Sequence, residues 1–262
     1  MITLSSDFGA PYPAAMKGVI LQRVATRLVD VSHEFPRQDV RAAAFWLREV
    51  LPWFPPAVHL VVVDPGVGTD RRALVVRAGE HALVGPDNGV LLPAARALAT
   101  ASNAANGGGD SQVEVFDYAY SDPASATFHG RDVFAPAAAA VHEIGVDDIG
   151  AADRLTRTDD YEAVSFPDPS VDETVAEGEV LVVDDFGNAV TNLPGEALAE
   201  RVGDTIDVNG MTAPVVRAYA ECDPGERLVT VGSHGNVELA VNQGRGDEAF
   251  AVSPGQSVRL SW

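Results

Sequence analysis

Residues 58–72 read Val-His-Leu-Val-Val-Val-Asp-Pro-Gly-Val-Gly-Thr-Asp-Arg-Arg. The apolar run at residues 60–63 carries β-branched side chains without polar alternation, which is typical of a strand covered on both faces. A proline and two glycines within residues 65–68 then force a turn. Ligands of open α/β sheets collect at the carboxyl ends of such strands. We therefore expect Asp64 to lie at a functional site, with Arg71 able to fold back over it.

The residues around this stretch alternate between strand and helix patterns. Asp39 can cap a helix with an apolar face, and this helix is expected to end at the prolines from residue 52 onward. Other strands are predicted at residues 2–4, 74–77, 82–84 and 113–116, and other helices at residues 16–28 and 133–141. This alternation predicts an α/β fold for residues 1–165, with a mostly parallel sheet covered by helices.

The pattern changes in the last third of the chain. Residues 166–175 are acidic, contain Pro167 and Pro169, and are interpreted as a linker. Residues 176–262 contain short alternating runs separated by turn residues, which predict a smaller C-terminal antiparallel β-barrel domain. Within the first domain, the glycine- and asparagine-rich residues 102–110 predict a surface loop.

The composition restricts the class of protein. The 262 residues include 38 acidic and 18 basic ones, for a net charge of −20, and such a surface repels nucleic acid and anionic membranes. No apolar run reaches the roughly 20 residues that span a bilayer, and Asp7 interrupts any signal peptide. The single cysteine, Cys222, excludes an intrachain disulfide. We expect a soluble, cytoplasmic protein that binds neither nucleic acid nor membranes.

The acidic surface, with Lys17 as its single lysine, also suits a salt-rich cytoplasm, where ions screen charge repulsion over a few ångströms. We interpret the protein as halophilic; the alternative is an ordinary acidic bacterial protein. Unfolding by denaturant across a salt series distinguishes them, because a stability that does not change between low and molar salt contradicts the halophilic interpretation.

Six polar clusters lie next to glycines or at predicted strand ends. They occupy residues 5–9, 64–69, 85–89, 127–132, 184–188 and 232–236. Asp64 could orient a water molecule or a metal ion, or it could simply belong to its turn. Asp7 could bind a ribose diol or cap a turn, and His129 could act as a base or as a capping or core residue.

The remaining clusters also have ordinary structural interpretations. Those at residues 184–188 and 232–236 match hairpin turns, and the one at residues 85–89 matches a tight turn. The chain has no Walker loop, dinucleotide fingerprint, His-Glu-x-x-His zinc helix or Gly-x-Ser-x-Gly nucleophile elbow. Single motifs therefore leave the function open.

Taken together and in order, the clusters resemble the S-adenosylmethionine hydroxide adenosyltransferase family, relatives of the fluorinase and chlorinase. The matching segments are Ser-Asp-Phe-Gly (6–9), Met-Lys-Gly (16–18), Val-Asp-Pro-Gly-Val-Gly-Thr (63–69), Gly-Pro-Asp-Asn-Gly (85–89), Thr-Phe-His-Gly-Arg-Asp (127–132), Asp-Phe-Gly-Asn-Ala-Val-Thr-Asn (185–192) and Ala-Val-Asn-Gln-Gly (240–244). A chance match of this many segments in one order is improbable.

The resemblance implies an enzyme that cleaves S-adenosylmethionine at ribose C5′ with water. The family's water-handling Asp, Arg and His map onto Asp64, Arg71 and His129. Asp64 and His129 would orient the water and accept its proton, and Arg71 would keep Asp64 ionised. No metal or separate cofactor is implied, because methionine leaves the sulfonium as a neutral thioether.

The same resemblance implies the substrate contacts. They are Asp7 for the ribose hydroxyls, Ser233 for the methionine end, Asp184, Phe186 and Asn188 for adenine and its surroundings, and, in addition, Phe8 and Asn88. The family binds its small-molecule substrate between subunits, so a homotrimer with shared sites is expected. Residues 10–15 lack the acidic residue that the family usually places there, and His234 stands where an aromatic residue or arginine is expected.

Three alternatives remain at this point. A chlorinase-like halogenase is disfavoured because a carboxylate at position 64 would repel halide, and because the chain lacks the long insertion before residues 85–89 that is associated with the fluorinase. A sensor that binds S-adenosylmethionine or adenosine without consuming it would not need the Asp64, Arg71 and His129 set. The last alternative is an acidic α/β protein with an unrelated ligand.

Overall fold

The computed structural model describes residues 1–105, 112–121 and 123–262. They form two compact units, Met1–Val164 and Ser165–Trp262. None of the described helices is long and apolar enough to cross a membrane.

The first unit alternates strands and helices. Its described strands and α-helices are β1 (Ile2–Ser6), α1 (Tyr12–Leu21), β2 (Leu28–Ser32), α2 (Val40–Val50), β3 (Val58–Val62), β4 (Ala73–Ala78), β5 (His81–Pro86), α3 (Leu92–Ala105), β6 (Val113–Tyr118), α4 (Ala135–Ile144) and β7 (Leu155–Arg157). A π-helical turn, Gly130–Phe134, leads into α4. Helix α3 extends into the predicted loop at residues 102–110, of which residues 106–110 lie outside the described residues.

The strands of this unit form one sheet in the order β2-β1-β3-β5-β4-β6-β7. Strand β1 is parallel to β2 and β3, and β3 is parallel to β5. Strand β4 is antiparallel to β5 and β6, and β6 is antiparallel to β7. The predicted α/β class is confirmed, and the sheet is mixed where a mostly parallel one was expected. The cause is local: only residues 79–80 separate β4 from β5, whereas parallel neighbours need a crossover of a dozen or more residues.

Helices cover both faces of this sheet. On one face, Leu4 and Leu60 pack in a buried cluster with Met16 of α1 and four of the alanines of α4. Helix α2 packs against α3, which packs against β4. The predicted cap of α2 is confirmed, since the Asp39 side chain accepts a hydrogen bond from the Ala42 N–H at 2.9 Å.

The sheet topology collects polar residues at one edge. Because β1, β3 and β5 run parallel, Asp7, Asp64 and Asn88 follow their carboxyl ends at the same edge. Strand β4 begins at that edge and β6 ends there, which adds Arg71 and Tyr120.

A line of buried hydrogen bonds crosses the interior of the sheet. Thr3 Oγ1 lies 2.8 Å from His59 Nδ1, and His59 Nε2 lies 2.9 Å from His81 Nδ1, with the two imidazole rings stacked. Burial, and secondarily the charge of His81, lowers the pKa of His59 to about 3. Burial also lowers the pKa of His81. The neutral rings satisfy one another without any charge in the core.

The second unit is a nearly closed, antiparallel, barrel-like sheet, as predicted for the C-terminal domain. Its described strands and helix are β8 (Ser170–Val171), β9 (Val175–Val183), β10 (Ala189–Pro194), β11 (Thr205–Val208), β12 (Met211–Pro214), β13 (Arg227–Val231), β14 (Asn236–Val241), α5 (Gly246–Ala249) and β15 (Ser257–Ser261). The order is β12-β11-β15-β9-β10-β14-β13, with a bridge from Val215 to Val229 approaching closure. Strand β8, inside the residues interpreted as a linker, pairs with β9.

Candidate functional site

The Asp64 carboxylate has one paired and one unpaired oxygen. Its side chain is only 4% exposed. Oδ1 accepts a hydrogen bond from the Gly66 N–H at 3.1 Å and lies 3.1 Å from Arg71 Nε. Oδ2 is buried and accepts no hydrogen bond from any residue that the structure describes. Buried carboxylate oxygens are seldom left unpaired, so Oδ2 marks a place where a small polar group would be stabilised.

Arg71 is held over the turn that follows β3. Its Nη1 donates to the backbone carbonyl of Asp87 at 3.0 Å. The Arg71 Nε–H does not point at Asp64 Oδ1, so their contact is an ion pair without an aligned hydrogen bond. The guanidinium lies so close to Gly66 that a Cβ at that position would displace it, so the glycine leaves room for Arg71 beside Asp64.

Several charges act on Asp64 at once. Burial raises the pKa of Asp64 above its ordinary value, and the charge of Asp7 adds to that effect. Arg71, the Gly66 N–H and His129 act in the opposite direction. Arg71, His129 and Asp7 therefore each lie within electrostatic range of Asp64, and its raised pKa means that this carboxylate holds a proton more readily than an exposed aspartate.

His129 begins the helical segment that leads into α4 and is 5% exposed. Its ring lies 6.4 Å from that of Tyr120 in an edge-on arrangement. Tyr120 also donates from its hydroxyl to the Arg71 carbonyl at 3.2 Å. Burial and the nearby Asp64 charge raise the pKa of Tyr120. Tyr120 is thus a further member of the site, which the sequence reasoning missed because no motif contains it.

Asn88 and Asp87 support this arrangement from the turn after β5. The Asn88 side chain donates to the carbonyl of Val63 at 2.8 Å and accepts from the Val90 N–H at 3.2 Å. The Asp87 carboxylate accepts two hydrogen bonds from Arg72, at 2.7 and 3.0 Å. Asn88 therefore fixes the residue that precedes Asp64, and its contact with substrate stays a prediction.

Phe8 and Asp7 lie at the end of β1. The rings of Phe8, Tyr12 and Phe128 contact one another edge to face, with centroids 5.4–6.1 Å apart. Asp7 Oδ2 accepts a hydrogen bond from the Gln38 N–H at 2.7 Å. The aromatic cluster joins the turn of Asp7 to the residue that precedes His129.

In the second unit, the predicted adenine residues form the turn between β9 and β10. Asp184 Oδ1 accepts from the N–H groups of Phe186 and Asn188, at 2.9 and 2.8 Å, and Oδ2 accepts from the Asn188 side chain at 2.9 Å. Gly187 has a φ of +87°, which its lack of a side chain permits. The Phe186 ring stands 80% exposed at the tip. Asp184 and Asn188 thus stabilise the turn that presents Phe186.

Ser233 is exposed on the turn between β13 and β14. The adjacent His234 is engaged within the unit: Nε2 lies 3.0 Å from Glu238 Oε1, and Nδ1 accepts from the Asn236 N–H at 3.2 Å. Glu238 Oε2 in turn accepts from the Tyr219 hydroxyl at 2.6 Å. His234 therefore braces the hairpin that carries Ser233, a role compatible with its departure from the family pattern.

The antiparallel register of β10 and β14 separates the two predicted clusters of this unit. Ala189 lies opposite Leu239, and Pro194 lies opposite Asn236. The Asp184 turn and the Ser233 turn consequently lie at opposite ends of this strand pair. The described part of the chain contains no group of three or more His, Cys, Asp or Glu side chains suited to holding a metal ion.

Comparison with known proteins places both units in one family. Residues 2–150 match the N-terminal domain of SAM hydroxide adenosyltransferases, and residues 178–259 match the C-terminal domain. A protein of Salinispora tropica named (R)-S-adenosyl-L-methionine hydrolase is 41% identical over 270 residues, which cover 99% of this chain and 97% of that protein. A Thermus thermophilus protein of the same name is 40% identical over 265 residues, which cover 97% of each chain.

Solved structures agree with these sequence matches. An uncharacterised conserved protein of Thermotoga maritima aligns over 100% of both chains with a TM-score of 0.83 and 32% identity. A conserved hypothetical protein of Thermus thermophilus aligns over 99% of this chain and 98% of that one, with a TM-score of 0.73 and 35% identity. The resemblance carried by the motifs is confirmed, and the chain belongs to the S-adenosylmethionine hydroxide adenosyltransferase family.

Proposed function

We propose that this protein hydrolyses S-adenosyl-L-methionine to adenosine and L-methionine. The observation that carries the proposal is the asymmetric carboxylate of Asp64. Oδ1 is held by Gly66 and Arg71, while the buried Oδ2 has no hydrogen-bond partner among the described residues. Such an oxygen is suited to accept a hydrogen bond from one water molecule and fix its direction.

The reaction needs no acid to protonate the leaving group, but its nucleophile must be held in position. The water oxygen forms a bond to ribose C5′ as the C5′–S bond breaks. The electron pair of the C5′–S bond stays with sulfur, so the sulfonium becomes a neutral thioether. The water must also lose a proton. The carboxylate of Asp64 and the imidazole of His129 can accept that proton when the water lies next to them. The raised pKa of Asp64 makes that carboxylate a better acceptor, and His129 is the second candidate. Arg71 keeps Asp64 oriented.

The remaining predicted residues receive their substrate roles within this proposal. Asp7 binds the ribose hydroxyls, Phe8 and Asn88 line the same edge, and Ser233 contacts the methionine end. The exposed ring of Phe186 packs against adenine, within a turn that Asp184 and Asn188 hold. We propose that the chemistry needs no metal or separate cofactor, because the leaving group departs uncharged.

We further propose a cytoplasmic homotrimer in which neighbouring copies complete each site. The 80% exposed Phe186 supports shared sites, because an aromatic side chain gains from being covered by a ligand or a second chain. Sedimentation equilibrium tests the assembly, and a mass of one chain at micromolar concentration would contradict it.

The nucleophile is tested directly by labelled water. The purified protein is incubated with S-adenosylmethionine and chloride in ¹⁸O-enriched water, and the nucleoside is analysed by chromatography and mass spectrometry. We expect adenosine with one ¹⁸O atom at the 5′ hydroxyl. Formation of 5′-chloroadenosine would support a halogenase instead, and tight binding without any product over hours would support a sensor.

The name of the relatives specifies the R epimer at the sulfonium. We extend that preference to this chain, because in-line attack fixes the C5′–S axis, and the two epimers then point the methionine arm from sulfur in different directions. The two epimers, separated and supplied in the same assay, should be consumed at different rates with the R epimer faster. Equal rates would contradict the preference without affecting the reaction itself.

A further inference from the structure

Four hydrogen-bonded side chains, which we call the relay, begin at the only lysine of the sequence and end at the backbone of Phe8. Lys17 Nζ donates to Asp30 Oδ2 at 2.5 Å, and Asp30 Oδ1 lies 3.0 Å from His33 Nε2. His33 Nδ1 lies 2.7 Å from Ser6 Oγ, which donates to the Phe8 carbonyl at 3.3 Å.

The relay joins separate elements of the first unit at the edge that carries the candidate site. Lys17 belongs to α1, Asp30 to β2, and Ser6 is the completely buried last residue of β1. Partial burial alone would raise the pKa of Asp30, but the hydrogen bonds from Lys17 and His33 lower it, so this carboxylate stays ionised. Partly exposed ion pairs contribute little to folding stability. Stability alone therefore does not explain why the single lysine of the sequence pairs with Asp30.

A second contact reaches the same turn from the same loop. The Gln38 N–H donates to Asp7 Oδ2 at 2.7 Å, and Gln38 has a φ of +62°, a backbone conformation that residues with side chains seldom adopt. The loop that begins at His33 therefore holds the turn on both sides, through Ser6 and through Asp7 itself. Asp7 Oδ1 is the oxygen that this contact leaves for a ligand.

We propose that His33, held by Lys17 and Asp30, is a positioning residue for the carboxylate of Asp7. The inference rests on the proposed function, in which Asp7 binds the two ribose hydroxyls. His33 fixes Ser6, and Ser6 fixes the Phe8 carbonyl, so the backbone on each side of Asp7 is set before a ligand arrives. Ordering the carboxylate in advance lowers the entropy cost of binding a diol.

Two substitutions at position 33 separate the links of the relay. The side-chain amide of glutamine reaches the place of Nε2, so His33→Gln keeps the contact with Asp30 and loses the one with Ser6. The shorter amide of asparagine reaches the place of Nδ1, so His33→Asn keeps the contact with Ser6. His142→Gln, on α4 and outside the relay, is the matched control.

The probes are adenosine and 2′,3′-dideoxyadenosine, whose affinities are measured by calorimetry. We expect His33→Gln to weaken adenosine binding about tenfold and to leave dideoxyadenosine binding unchanged, with His33→Asn in between and the control as wild type. In turnover assays, KM should rise about tenfold, while kcat should stay within about twofold. Lys17→Met should act in the same direction, and Lys17→Arg should restore the wild-type preference.

The Lys17 variants keep the inference testable if position 33 does not tolerate change, because the Lys17 side chain is 32% exposed. Wild-type discrimination between the two nucleosides in His33→Gln and Lys17→Met overturns the positioning role and leaves the proposed function intact. Equal losses for both nucleosides also overturn it, because they indicate a general structural defect. A wild-type protein that forms no adenosine and binds none overturns both proposals.

Discussion

Replacing Asp64 by asparagine should lower kcat by about 10²–10⁴-fold and leave the affinity for adenosine within about twofold. Asparagine has nearly the shape of aspartate and keeps an oxygen for the Gly66 N–H, so the turn after β3 is preserved. It cannot take a proton from water, and it offers no negative charge to the partial positive charge that develops on the attacking water. The comparison of kcat with the calorimetric affinity for adenosine therefore isolates the chemical step.

The same variant should be at least as stable as the wild type. The pKa of Asp64 is raised, which means that the folded protein disfavours its ionised form relative to the unfolded chain. At neutral pH the charge costs stability, and a neutral side chain removes that cost. Lost activity together with an unchanged or higher Tm is typical of a functional residue held in an unfavourable environment.

Asp70→Asn is the matched control, because it makes the same change at an exposed aspartate six residues further along the chain. It should retain wild-type kcat and Tm. His129→Ala should resemble Asp64→Asn in turnover, since the proposed water contacts both side chains. Wild-type kcat in Asp64→Asn and His129→Ala would contradict the assignment of these residues, whereas parallel losses in the Asp70 control would show an effect of surface charge.

The pattern of residues predicted the fold class but not every pairing of strands. The buried run at residues 60–63 correctly indicated a central strand whose end carries Asp64. The expectation of a mostly parallel sheet overlooked the spacing between the strands predicted at residues 74–77 and 82–84. Those few residues have no room for a crossover helix, so β4 and β5 had to form a hairpin.

Part of the site followed from sequence and part required coordinates. Parallel strands place their following residues at one edge, so the proximity of Asp7 and Asp64 was foreseeable. Tyr120 was not, because it contacts Arg71 through a backbone carbonyl, and a carbonyl leaves no signature in the sequence. His33 was overlooked because one of its two partners, Ser6, lies on a strand far away in the sequence, and no motif links the two positions.

The second unit shows a different limit of sequence reasoning. The Asp-Phe-Gly-Asn segment fits both a hairpin turn and a ligand-binding cluster, because both require the same residue types. In the structure, Asp184 and Asn188 use their polar atoms to build the turn, and Phe186 is the side chain that remains exposed. The turn is thereby established, and the contacts with adenine stay a prediction.

The second large effect concerns acid. We expect the free energy of unfolding to fall steeply as the pH drops below about 6.5, with His59 contributing up to about 5 kcal/mol by pH 3. In the folded protein, burial and His81 lower the pKa of His59 to about 3, whereas in the unfolded chain it returns to its ordinary value of 6.5. Between these values the unfolded chain binds one more proton, so acid shifts the equilibrium toward unfolding.

The effect is separable from that of carboxylates by its pH range. Asp30 and Glu238 have lowered pKa values, so the stability that they contribute is lost only as the pH falls through the range below their unfolded values near 4. Between pH 6.5 and 4.5 the histidines dominate. His59 alone should contribute a slope of about 1.4 kcal/mol per pH unit there, to which His81 adds.

His59→Asn tests this assignment. Its amide reaches the position of Nδ1 and keeps a partner for Thr3, while the side chain does not titrate. Denaturant unfolding from pH 7.5 to 4.5 should show a lower stability at neutral pH but a slope reduced by about 1.4 kcal/mol per pH unit, whereas His142→Asn should alter the slope less, because His142 lies less deeply buried. An unchanged slope in His59→Asn would refute the role of His59. The NMR resonance of the wild-type His59 imidazole gives an independent check. In the folded protein this imidazole must be neutral at pH 5, because only then does the unfolded chain bind one more proton than the folded one.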